Sequence, residues 1–139
     1  NRFRESDLRI IQNRKLKMKN LKGDDISKRF INFASRIISM TKAIEKDYIG
    51  KHINLQVLRS GTSCEANYEE ARISESDADF IHKLKIALKE MRETLFWLNV
   101  IHTSDIISFE RLQPIICETE ELCNIIAKSI ITTQKRMKS

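Results

Sequence analysis

Residues 59–71 read Arg-Ser-Gly-Thr-Ser-Cys-Glu-Ala-Asn-Tyr-Glu-Glu-Ala. A glycine, two serines and a threonine fall inside what the flanks mark as a helix, and each of them lowers helix propensity. Tertiary contacts must therefore hold this stretch helical. At about 100° per residue, Ile53, Val57, Cys64, Tyr68 and Ala71 share one arc, and Arg59, Ser63, Asn67 and Glu70 share another. The pattern is an amphipathic helix with one apolar face and one ribbon of mixed polar chemistry. Ser60, Gly61, Ser63 and Ala66 are small enough to let a neighbouring helix come close.

The flanks repeat the helical rhythm. Upstream, Ile26, Phe30, Phe33, Ile37, Met40 and Ile44 alternate spacings of four and three, as a bundle seam does. Asp24 or Asp25 is the expected cap, and the helix is expected to run from about Ile26 to about Tyr48, with Gly50 closing it. The helix carrying the quoted stretch is placed at about 51–73. Ser76, followed by Asp77 and Asp79, predicts the start of a third helix over about 77–102. Phe80, Leu84, Ala87, Met91, Thr94, Leu98 and Ile101 keep the same rhythm there, with Ile81, Leu88 and Leu95 as a second row. A fourth helix is centred on 109–136, with Ser108 as cap. Pro114 predicts a kink or restart in it. Leu112, Ile115, Ile116, Leu122, Cys123, Ile125, Ile126, Ile130 and Ile131 form its broad stripe.

Four helices with short turns predict an all-α fold, an antiparallel up-down-up-down four-helix bundle. The apolar stripes of the third and fourth helices are wider than one internal seam needs. In a water-facing protein such surface is usually covered by a partner, so oligomerisation is expected.

Arg-Ser-Gly-Thr-Ser at 59–63, Ala-Asn-Tyr-Glu-Glu-Ala at 66–71, Asp-Phe-Ile-His-Lys-Leu-Lys-Ile-Ala-Leu-Lys-Glu at 79–90 and Glu-Thr-Leu-Phe-Trp-Leu at 93–98 together resemble the 23S ribosomal RNA intervening-sequence protein family of bacterial four-helix bundles. The resemblance runs from about Met18 to about Lys135 and is most specific over 58–98. It implies a homopentameric barrel, a form shared with the related accessory protein of diversity-generating retroelements. It also implies an association with RNA. One position departs from the family: Glu65 stands where the usual Ser-Ile-Gly-Ala-Asn has glycine.

The chain has 139 residues, one proline and three glycines, enough for a single helical domain over 23–139. Its net charge of +6 is concentrated in 1–22, where eight basic residues face Glu5 and Asp7; the rest carries seventeen charges of each sign. Residues 1–22 therefore read as a basic arm, either touching phosphates or solvated as an extension. Leu8, Ile11, Leu16 and Leu21 suggest that part of it is helical. No apolar run approaches the roughly 20 residues that span a membrane, and no secretory pattern is present, so a cytoplasmic protein is expected. Cys64, Cys117 and Cys123 are odd in number and lack Cys-x-x-Cys spacing, which predicts buried free thiols.

No catalytic constellation emerges. Ser63, His82 and Asp79 have no nucleophile elbow or oxyanion loop around them, and a non-enzymatic protein is expected. His52, His82 and His102 are widely separated and no Glu-x-x-His pair occurs, so no metal or other cofactor is expected. Candidate nucleic-acid contacts are Lys83, Lys85, Lys89 and Arg92 on the third helix, and Arg14, Lys15, Lys17 and Lys19 in the arm. The competing reading of the helical cations is a solvated face. The polar ribbon, Arg59, Ser63, Asn67 and Glu70, is expected to form a buried network with Glu90 or Glu93 of the third helix. The alternative is a ligand or nucleic-acid contact. The expected partners are further copies of the chain, RNA or DNA, or a partner protein docked on a scaffold, and no membrane.

Overall fold

The computed structural model describes residues 4–9 and 23–139. Residues 5–9 are helical, in line with the partial helix expected of the arm. Four long helices follow: α1 (Asp24–Thr41), α2 (Tyr48–Arg72), α3 (Asp77–Thr103) and α4 (Phe109–Lys138). They pack as a helical bundle, and among the described residues no strand occurs.

The helix starts follow local chemistry. Gly23, with φ of 88°, takes the cap position of α1, so Asp24 and Asp25 lie in its first turn rather than capping it. There they face the positive end of the helix dipole. The Ser76 side chain caps α3, accepting a hydrogen bond of 3.1 Å from the Asp79 amide. At α4 the Ser108 side chain makes no cap bond; its carbonyl takes the Arg111 and Leu112 amides, each at 3.1 Å. Pro114 sits within α4, and the helix runs through it without restarting. A proline this near the start interrupts only the beginning of the hydrogen-bond ladder.

The boundary between α1 and α2 differs from the sequence expectation. Helix α1 stops at Thr41, and Gly50 lies in the first turn of α2 instead of closing α1. Asp47 caps α2 by accepting the Gly50 amide at 2.8 Å. The intervening loop folds back so tightly that a Cβ on Gly50 would fall 1.7 Å from the Glu45 carbonyl oxygen. The glycine is there for that close approach. Ile44, expected in α1, is buried from within this loop.

The core confirms the four-three rhythm. Phe30, Phe33, Ile37, Val57, Cys64, Leu84, Met91, Leu98, Leu112, Leu122 and Ile126 are sealed from solvent or nearly so. Burying a side chain of this size contributes about 1.5–3 kcal/mol. Ser60 and Gly61 are buried among them: a Cβ on Gly61 would come 3.1 Å from Ile37 of α1, and Thr94 Oγ1 of α3 lies 2.9 Å from Ser60 Oγ. The small residues of the quoted stretch thus bring α2 against both neighbours. Ala66 faces out and takes no part. Gly23 meets Tyr68 and Ile37 meets Gly61 where α1 packs on α2. Ser60 with Thr94 and Glu70 with Lys83 join α2 to α3.

Among the described residues no helix is long and apolar enough to cross a membrane. The thiols divide: Cys64 is buried and Cys123 half-buried, but Cys117 is exposed, against expectation. Cys117 falls on the outer side of α4, beside exposed Pro114 and Glu121 at helical spacing.

Candidate nucleic-acid interface

Helix α3 presents its outer face through Lys85, Lys89 and Arg92, all exposed. Spacings of four and three align them along about two turns. None of the three is ion-paired with a described carboxylate.

Several other cations of the bundle are ion-paired. Lys83 lies 200° around the helix from Lys85 and meets Glu70 of α2 at 3.0 Å. That bond raises the Lys83 pKa above the ordinary lysine value. Arg29 of α1 holds Glu118 of α4 at 2.6 Å and Glu121 at 3.1 Å. Arg136 pairs with Asp77 at 2.7 Å, and Lys28 with Asp24 at 3.3 Å. Arg72, whose side chain is 2% exposed, sits between Glu69 at 3.4 Å and Asp24 at 3.8 Å. Of the four helical candidates, Lys83 is therefore committed to the fold, while Lys85, Lys89 and Arg92 remain available to a ligand. Arg14, Lys15, Lys17 and Lys19 lie outside the described residues.

The polar ribbon divides in the same way. Arg59 bridges α2 to α3, binding Glu90 at 3.2 Å and Glu93 beside it, as the sequence suggested. Its side chain is 47% exposed, so this is a surface clamp rather than a buried network. Asn67 does not join it. Its amide donates to the Ser63 carbonyl at 2.9 Å, a bond within its own helix. An amide that reaches the preceding turn needs no partner across the interface. Ser63 enters only through that carbonyl, and Glu70 is taken by Lys83. The ribbon locks α2 onto α3 at two points and leaves no cluster of free polar groups.

Beside the row of free cations runs a groove of about 500 Å³ between α3 and α4. Leu88 lies on its α3 side, and Ala127, Ile130, Ile131 and Gln134 on its α4 side. One turn beyond Arg92 stands Phe96, 56% exposed. Its ring meets Trp97 edge-on, with centroids 5.0 Å apart and planes at 77°. Trp97 packs on the bundle core and meets His52 of α2 at 5.9 Å. Sequence reading missed the groove and Phe96. Phe96 was legible as the next step of the Lys85, Lys89, Arg92 spacing; the α4 wall was not, because it depends on how two helices pack.

Among the described residues no cluster of three or more His, Cys, Asp or Glu side chains could hold a metal ion. Near the groove, Cys123 has its pKa raised by burial, with Arg92 pulling the other way.

The family model for the 23S rRNA-intervening sequence protein matches residues 23–128. The chain belongs to this family. Its match spans α1 to α3 and most of α4, including the Lys85, Lys89, Arg92 row. The chain is also similar to a solved protein of unknown function from the S23 ribosomal protein family of Bacteroides thetaiotaomicron. The two are 35% identical with a TM-score of 0.70, over 76% of this chain and 97% of the other. No curated protein matches the chain. Glu65 stands at a half-buried position on α2; desolvation, then the nearby Glu69, raises its pKa.

Proposed function

We propose that this member of the 23S rRNA-intervening sequence family is a non-enzymatic accessory protein that binds RNA phosphates. Its helices alternate up and down in a four-helix bundle, and the bundles assemble as a homo-oligomer, a pentamer by resemblance to the family. The observation that carries this reading is the contrast on α3: Lys83 is tied to Glu70, while Lys85, Lys89 and Arg92 stand exposed without a described carboxylate. Paired cations cancel locally; an unpaired row gives a positive strip to which phosphates are drawn. Such contacts fix position without reading bases. Copying the strip around a ring adds avidity without any new contact.

The test is RNA affinity as a function of salt. Replacing Lys85, Lys89 and Arg92 together by Gln removes three phosphate contacts. The slope of log affinity against log salt then falls by about 2, at about 0.7 per contact on a single strand. An unchanged slope rejects the row as the contact surface.

A second reading, a scaffold that docks a partner protein, has its own observation. Tyr48, Ile49 and Leu55 at the start of α2 are 91%, 61% and 65% exposed. Apolar side chains grouped in this way mark contact surfaces. A complex that survives high salt and is lost on Leu55→Glu favours this scaffold.

A further inference from the structure

We propose that the RNA held by this face is single-stranded: phosphates lie along Lys85, Lys89 and Arg92, and unstacked bases lie on the apolar surfaces flanking that row. The inference rests on the RNA reading above and narrows its substrate. Two independent features carry it. The first is Phe96, which continues the cation row by one helical turn and exposes 56% of its surface. Trp97 holds it edge-on, so the ring is propped rather than folded onto the core. The second is the groove that Lys85, Lys89 and Arg92 themselves border, where Leu88, Ile130 and Ile131 provide apolar walls and Gln134 an amide. Ile131 is itself half exposed.

A duplex leaves these features unused. Its bases are stacked inside, and it offers only phosphates, sugars and groove edges to a helix surface. A single strand presents phosphates and bases alternately, and its bases stack on aromatic side chains. Cations with an aromatic at one end and an apolar groove alongside match that alternation. The Gln134 amide can donate and accept, which suits the polar edge of a base in the groove.

The experiment compares the full chain's affinity for a short unstructured RNA with its affinity for the same RNA annealed to its complement, at one salt concentration. The intact chain binds the single strand about tenfold more tightly, the scale of one stacked base. Phe96→Ala combined with Ile131→Ala removes that preference while leaving duplex affinity and the salt slope unchanged. Phe96→Leu keeps apolar area but removes the ring face, and loses most of the preference without disturbing the fold. Equal binding of single strand and duplex by the intact chain overturns the inference, as does a preference that survives in these variants. If the Lys85, Lys89, Arg92 row governs the salt slope but the apolar variants change nothing, the RNA reading stands and only the single-strand assignment fails.

Discussion

Gly50→Ala separates packing from propensity by the sign of its effect. Gly50 is helical, in the first turn of α2, and helix propensity alone predicts that alanine stabilises by about 0.5–1 kcal/mol. The structure predicts the opposite. A Cβ would stand 1.7 Å from the Glu45 carbonyl oxygen and 3.2 Å from Asp47 Oδ1. Neither backbone can stay in place, so the loop over residues 42–47 must lift. Lifting it breaks the Asp47 cap on the Gly50 amide, a loss of about 1 kcal/mol. It also withdraws Ile44, now 3% exposed, from the core, at a cost of up to about 2 kcal/mol. After the propensity gain is subtracted, the net loss is about 2 kcal/mol, or about 5–10 °C in Tm for a chain of this size. The assay is urea unfolding followed by circular dichroism, at one fixed protomer concentration because association shifts apparent stability. A midpoint equal to or above that of the unaltered chain refutes the reasoning.

Three further outcomes follow from buried groups. Arg72→Ala leaves Glu69 and Asp24 facing each other without their shared cation, and should lower stability by about 2–4 kcal/mol in urea unfolding. Thiol labelling should be ordered by burial: Cys117 reacts first, Cys123 more slowly, and Cys64 only on unfolding, since burial pushes its pKa up to about 12. Glu65→Gln should stabilise the bundle at neutral pH. The Glu65 pKa is raised in the folded state, so its protonated form is favoured there; the charged form weakens the fold as pH rises through that pKa. The advantage of the variant therefore shrinks as the pH is lowered past the ordinary glutamate range, and pH-dependent thermal melts will show whether it does.

Much of the bundle was legible because its core positions recur at three and four. The apolar arc Ile53, Val57, Cys64, Tyr68, Ala71 is buried throughout, and Ser76 caps α3 as its two following acids suggested. The bridge from Arg59 to Glu90 and Glu93 was also readable, from complementary charge on adjacent helices. What escaped depends on distances between segments. Gly50 has the look of a helix terminator, but its role is set by the carbonyl of Glu45. Asn67 had two carboxylates within conceivable reach and bonded its own backbone instead. Lys83 and Lys85 look alike in sequence, yet α2 lies beside one and not the other. The groove depends on which faces of α3 and α4 meet, which periodicity alone does not fix.

The most direct test of the account is RNA affinity of the full chain across a salt series, measured beside two variants. One carries Lys85→Gln, Lys89→Gln and Arg92→Gln; the other carries Gln at Arg14, Lys15, Lys17 and Lys19. Light scattering at each salt concentration gives the mass of the assembly. The account predicts an oligomer whose mass rises with RNA, and a salt slope that falls by about 2 in the helix variant. An oligomer that ignores RNA, or one whose binding disappears only in the arm variant, would contradict it.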